Sequence, residues 1–362
     1  MIGLPASRTF RRVVLCMFVV ACASLWATRG IFTDKEALKY IGCAEQLLHG
    51  DVHDLFGSYA KYASYVLFLV PFIAIGAPWL AVVVQATLAV VAAFALARIA
   101  ERITGSLRAG DAAFTFALLC YPFQEWVLAL YTESFFASTT ILFLDRITRQ
   151  GPVGKWTWPL AMIVLFARPV GALFVLPACI WKFATGRERW FPKWIRNSAY
   201  AAVLLLAISV PGVEQHQLAV IVEGHVICGF PERPGAVEGF HGRTILAAQQ
   251  HLFEQNSAGY AAGLFVRRSL SLFTLGRSYF STAHNVLLLP FYGLFVLAVI
   301  GVWYRRKHPV VGLLAALLLL YTALIGFTYD EWNGRFLVPV WPIIILFASL
   351  GVPFLLERRS AA

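Results

Sequence analysis

Apolar residues recur along this chain in runs of around 20, and polar residues gather at the borders of those runs. The runs are rich in Leu, Val, Phe and Ala and show no period-two alternation, so they predict spanning helices and argue against a β-barrel. The pattern predicts ten spans, at about 13–31, 78–97, 112–128, 134–147, 157–167, 170–183, 197–213, 284–304, 309–327 and 336–356. The run from Tyr65 to Gly76 is short for about 30 Å of hydrocarbon and reads as a helix at the outer interface. The expected fold is an all-α polytopic membrane protein, one embedded domain over 1–362. A first extracytoplasmic loop with interfacial helices covers 28–77, and a large second one covers 214–283.

Composition agrees: 59% of the 362 residues are hydrophobic and 14% charged, which places the chain in the membrane class. The first run follows Arg8, Arg11 and Arg12 and contains Ala21-Cys22-Ala23. Its length favours an uncleaved anchor over a signal peptide.

Basic residues are retained on the cytoplasmic side, and this orients the spans. The inner segments carry Arg8, Arg11, Arg12, Arg98, Arg102, Arg108, Arg146, Arg149, Lys155, Lys182, Arg187, Arg189, Lys193, Arg196, Arg305, Arg306, Lys307, Arg358 and Arg359, which is 19 of the 30 basic residues. Only Glu101, Asp111, Asp145, Glu188 and Glu357 of the 19 acids fall there. Both termini are thus expected in the cytoplasm, and carboxylate chemistry is expected on the outer face.

One run breaks the pattern. MIVLFARPVGALFVL, residues 162–176, holds an arginine and a proline at its centre, with Lys155 and Lys182 flanking it on the same side. It therefore predicts a short broken hairpin turning near Arg168-Pro169, where proline ends the first half and Gly171 admits a close backbone. An arginine at membrane depth must face water or an anion; the alternative is that Arg168 snorkels to the surface and marks the turn.

The outer loops supply the other candidates. In the first, Thr33 stands as N-cap of an amphipathic helix with Ala37, Tyr40, Ile41, Ala44, Leu47 and Leu48 on one face. Asp34-Lys35-Glu36 opens it, where a helix start favours anions or the ligands of a cation. In the second, His216, His225, His241, His251 and His284 lack i, i+3 or i, i+4 spacing, which disfavours a helical metal site. Helical material at 245–273 places Arg267 and Arg268 to meet lipid phosphates, and no charged stripe or stacking motif fits nucleic acid. Short turns add Glu125 and Glu133, and then Asp330, Glu331 and Arg335. Carboxylates facing Lys61, Arg168 and Arg335 suit proton removal from a hydroxyl and dispersal of charge on a phosphate. The six cysteines read as free thiols; an oxidising compartment would also permit a disulfide between Cys43 and Cys228.

Three stretches resemble the C-type (GT-C) membrane glycosyltransferases. Asp34-x-Glu36 with Tyr40, Ala44 and Gly50 is similar to that superfamily's first-loop acidic motif. ALYTESFF, residues 129–136, resembles the Tyr-Ser-Glu-Ser-Leu-Phe stretch of the mannosyltransferases that build GPI anchors and of their bacterial relatives. ARPVG (167–171) and RFLVPVWP (335–342) look like the Arg-Pro-x-Gly hairpin and the arginine-led last helix of many members. The sequence departs in having Asp-x-Glu where many have Asp-x-Asp or Asp-Glu, and no soluble domain is expected after the last span.

The resemblance implies transfer of a sugar, such as mannose, from a polyprenyl-phosphate carrier to an extracytoplasmic glycan, lipid or protein acceptor. Asp34, or else Glu36, would be the base. Arg335, Arg168 or Lys61 would stabilise the leaving lipid phosphate, with Tyr40, Glu133 and Asp330 as further substrate-binding positions. No cofactor is fixed by it, and a divalent cation (Mg or Mn) at the acidic pair is left open. Membrane lipids are expected partners and nucleic acid is not. Two other classes compete: a polymerase or ligase of lipid-linked glycans, which would not need the acidic pair, and a transporter, which would carry midplane charges and inverted repeats.

Overall fold

The computed structural model describes residues 7–185 and 192–361. Arg187, Glu188 and Arg189 lie outside the described residues, as do the side chains of Lys193, Glu357, Arg358 and Arg359. Among the described residues the structure is helical, and the extended pairing consists of two isolated bridges, Phe32 with Ala129 and Ile227 with Asp330. Five helices are long and apolar enough to cross a bilayer: Arg8–Arg29, Trp79–Thr104, Thr282–Arg305, Pro309–Phe327 and Arg335–Leu356. Ala60–Ala74, Gly171–Thr185 and Trp194–Ser209 are apolar but shorter. This is an all-α membrane protein.

The chain runs through α1 (Ser7–Arg29), α2 (Glu36–Leu48), α3 (His53–Phe56), α4 (Ala63–Ala74), α5 (Trp79–Thr104), α6 (Leu107–Leu119), α7 (Tyr121–Gln124), α8 (Thr132–Ile147), α9 (Thr157–Leu165) and α10 (Gly171–Thr185). Then come α11 (Lys193–Ser209), α12 (Gln215–Val222), α13 (Ile245–Gln255), α14 (Ala258–Ser271), α15 (Thr282–Leu288), α16 (Tyr292–Arg305), α17 (Pro309–Phe327) and α18 (Trp341–Ala361). Two compact units form, one of 1–178, 290–313 and 338–362, the other of 179–289 and 314–337.

The first unit is built around α18. Trp341, Ile343, Ile344, Ile345, Leu346, Phe347, Ala348 and Leu350 are all 2% exposed or less, so this helix is apolar on every side because it is enclosed on every side. By contrast α1 leaves Val13, Met17, Val19 and Val20 more than half exposed, as a helix facing lipid does. Where α16 crosses α18, a Cβ on Gly301 would collide with the carbonyl oxygen of Phe347. A glycine there lets the two backbones touch.

The span expected at 112–128 is interrupted. The α6 helix ends at Leu119, Cys120 turns to an extended conformation, and α7 begins with Pro122 in its first turn. Proline has no N–H to continue a helix and its ring crowds the preceding turn. The 162–176 run breaks where its sequence indicates, between Leu165 and Gly171. Nine residues of α9 rise roughly 14 Å, about half the hydrocarbon thickness. A Cβ on Gly171 would strike the Val164 carbonyl.

Two predictions follow from the packing. Gly301→Ala should lower stability by about 1–3 kcal/mol, whereas Gly293→Ala on the same helix, with open space at its Cβ, should be neutral or slightly stabilising; thermal unfolding in detergent compares them. His308 supplies a pH dependence. Its Nδ1 accepts the N–H of Val310 at the start of α17 (3.3 Å), and burial, aided by Arg305, depresses its pKa. The neutral ring is thus favoured on folding, so its contribution is present above about pH 6.5 and lost as pH falls further. His308→Asn keeps an acceptor that does not titrate and should flatten that acid-side loss.

Candidate functional site

The chain leaving α1 is fastened before it reaches the acidic pair. Phe32 N–H donates to the Leu128 carbonyl (3.1 Å) and Leu130 N–H to the Phe32 carbonyl (3.0 Å). The Tyr131 hydroxyl donates to the Asp34 carbonyl (3.3 Å). Lys35 then adopts φ 50°, the only positive value at a non-glycine among the described residues. Such a conformation costs of the order of 1–3 kcal/mol and persists only where its surroundings dictate it. Lys35, not Thr33, is the N-cap of α2, and it makes no side-chain capping bond. The consequence is geometric: Asp34 is exposed, while Glu36 is half-buried and meets Lys39 at 3.3 Å.

Arg168 lies in the break between α9 and α10, and Glu133 in the first turn of α8. Their Nη1–Oε1 separation is 2.9 Å, with side chains 10% and 3% exposed. The guanidinium turns inward to a carboxylate and does not snorkel to the surface. The break is itself anchored, because Ser64 N–H at the start of α4 donates to the Phe166 carbonyl (3.0 Å).

Tyr40 joins these two groups. It is buried, with ring centroids 5.3 Å from Tyr62 and 5.4 Å, edge-on, from Tyr65. Burial drives its phenol well above the ordinary range; Tyr62, Glu133 and Glu36 push the same way and Arg168 opposes them. Tyr40 therefore sits within the field of Glu36 and of the buried ion pair. The Lys61 ammonium lies 5.7 Å from the Tyr62 ring centroid. Phe135 closes the wall, 5.6 Å from Tyr65. Six of the expected site residues, Asp34, Glu36, Tyr40, Lys61, Glu133 and Arg168, thus belong to one unit.

Gln85 was not among the expected site residues. It is fully buried, accepts the Tyr65 hydroxyl (3.0 Å) and donates to the carbonyls of Val127 (3.1 Å) and Ala129 (3.0 Å). A lone amide inside the 79–97 apolar run was the signal that could have found it. It holds the turn before Glu133 in place.

Asp330 and Arg335 belong to the second unit. Asp330 is buried and accepts from Arg277, from the Ser271 hydroxyl (3.1 Å) and from the Glu331 N–H (2.8 Å). With so many donors on two oxygens, its evident work is to hold the 328–334 turn. Arg335 lies 3.8 Å from the Glu331 carboxylate. Arg268, expected to reach lipid phosphates, is instead buried, donating to the carbonyls of His225 (2.7 Å) and Ile221 (3.0 Å). It caps the C-terminal end of α12, and its pKa is lowered to about 10, chiefly by burial. Arg267 pairs with Glu232 at 2.6 Å. His225 meets Glu223 at 2.9 Å. All six cysteines are free.

Among the described residues no three His, Cys, Asp or Glu side chains converge as a metal cage. Of the acidic pair, Glu36 is engaged by Lys39 at 3.3 Å while Asp34 is exposed, so Asp34 is the carboxylate that would meet a divalent cation such as Mg²⁺, which takes one or two carboxylates and completes its shell with water and substrate phosphate. No family model matches the chain, and neither a curated protein nor a solved structure matches it.

The ion pair generates a direct test. Arg168→Ala and Glu133→Ala should each destabilise the protein by about 3–5 kcal/mol, because each strands a buried charge. Arg168→Met combined with Glu133→Leu should cost less than either single change. Chemical unfolding in detergent measures all three, and additive single losses would contradict the pairing.

Proposed function

We propose that this chain is a GT-C-type membrane glycosyltransferase that moves a sugar, such as mannose, from a polyprenyl-phosphate carrier to an extracytoplasmic glycan, lipid or protein. Ten spans with both termini in the cytoplasm put the acidic pair and the Arg168 break on the outer side. The observation that carries the reading is the presence of two contrasting features in one unit: an exposed Asp34 on a strained backbone, and a buried Glu133–Arg168 pair within the electrostatic reach of Tyr40, which packs on Tyr62 and Tyr65. The fastened backbone on either side of Lys35 maintains the strain, and strain of this kind gathers at working sites.

In the proposed reaction the Asp34 carboxylate takes the proton of the acceptor hydroxyl. The oxygen so freed attacks the anomeric carbon, and the bond from that carbon to the phosphate oxygen breaks. The lipid phosphate leaves with the electron pair, and its charge is met by Arg168 or Lys61. Glu133 holds the Arg168 guanidinium at 2.9 Å, and a planar guanidinium is a group suited to phosphate oxygens. The half-length α9 leaves a lateral path for a prenyl tail in lipid.

The test is consumption of a radiolabelled polyprenyl-phosphate sugar by the purified protein in liposomes. Asp34→Asn keeps shape and removes basicity, so turnover should fall roughly 10²- to 10⁴-fold at unchanged expression and melting temperature. Glu36→Gln should cost less. Near-normal transfer by Asp34→Asn removes the base, and activity only on lipid-pyrophosphate oligosaccharides would replace the reading with a glycan polymerase or ligase.

A further inference from the structure

At the other end of α5 a second polar cluster gathers, away from the residues used above. Asp145 near the end of α8 is 1% exposed, yet three guanidinium groups converge on it. Arg102 donates to Oδ1 (2.7 Å), while Arg98 (3.1 Å) and Arg149 (2.7 Å) donate to Oδ2. Arg102 also reaches the Asp145 carbonyl and the Thr148 hydroxyl, both at 3.2 Å. Arg305 at the end of α16 donates to the Thr104 carbonyl (3.3 Å), bringing a fourth arginine to the same end of the unit.

The charge does not balance. One carboxylate neutralises one guanidinium, and joining α5 to α8 would need only one. The arginines keep 45%, 35% and 41% of their side chains exposed, unlike the carboxylate they surround. Their position is equally specific. The apolar stretch of α5 begins at Trp79 and ends where Arg98 and Arg102 begin, which is the depth at which lipid phosphates lie. Planar guanidinium forks already held in place by Asp145 lose little freedom on binding phosphate oxygens.

We propose that Arg98, Arg102 and Arg149, organised by Asp145, form a binding site for the phosphate of an anionic phospholipid headgroup. Asp145 is the positioning residue: it gathers three cations around a single carboxylate. The site is independent of the sugar-transfer reading.

The test uses the full chain purified in detergent, titrated with phosphatidylglycerol, with phosphatidylcholine, or with inorganic phosphate at matched ionic strength. Bound lipid is counted by native mass spectrometry and the melting temperature is recorded. Wild type should retain phosphatidylglycerol and melt higher with it, and should do neither with phosphatidylcholine. Arg98→Gln with Arg149→Gln, which keeps the Arg102–Asp145 link, should weaken phosphatidylglycerol binding by about 5-fold per charge removed. Asp145→Asn separates positioning from bulk charge: it adds net positive charge but releases the three guanidinium groups, so phosphatidylglycerol should bind about 5-fold more weakly. Unchanged or tighter phosphatidylglycerol binding by a folded Asp145→Asn protein would show that charge alone recruits the lipid, and that result overturns the site. Equal retention of phosphatidylcholine, or the full shift from inorganic phosphate, would overturn the lipid assignment.

Discussion

A polar or charged group buried beyond the reach of water must bring its partner with it. That constraint organises the first unit. Glu133 and Arg168 are 35 positions apart and become one neutral pair. Asp145 draws in arginines from α5 and from beyond α8. Gln85 spends its donors on two carbonyls and its acceptor on a phenol. Each partnership joins elements distant in sequence, and the backbone obeys the same rule by remaining helical almost everywhere.

Against this background Asp34 stands apart. It is exposed, while its own carbonyl and the neighbouring Phe32 backbone are firmly held. A carboxylate on a fixed backbone and open to water can exchange a proton without disturbing the fold. The other acids of the candidate set in this unit show the contrast: Glu133 is tied to Arg168, and Glu36 leans on Lys39. Positive φ at Lys35 turns the chain so that these acids serve different surroundings.

Much of the architecture was legible because apolar length and helix breakers are local signals. Pro169 and Gly171 announced the break, and Gly171 does meet a backbone carbonyl. Pro122 carried the same kind of signal inside the run at 112–128, but the long apolar stretch around it suggested continuity, and the helix stops at Leu119. Partner choice was less legible. Nothing near Arg268 in sequence reveals that it will cap α12, and Thr33 has the chemistry of a cap but the chain turns two residues later. Arg98, Arg102 and Arg149 entered the sequence reading only as expected topology markers, whereas their convergence on Asp145 depends on how α5 meets α8. Five of the candidate residues in the first unit, Asp34, Glu36, Lys61, Glu133 and Arg168, could be named in advance because acids and cations are scarce in such a chain, and Tyr40 through its place in the acidic motif; the aromatic packing around Tyr40 needed the fold.

The central claim is that a lipid phosphate is received beside Arg168 and Lys61. The measurement that bears on it most directly is photo-crosslinking with a polyprenyl-phosphate analogue carrying a photoreactive group on its first isoprene unit, followed by peptide mapping. Adducts within 59–65 and 166–170 that unlabelled polyprenyl phosphate suppresses are the predicted result. Adducts confined to 214–283, or adducts that the unlabelled carrier fails to suppress, would contradict it.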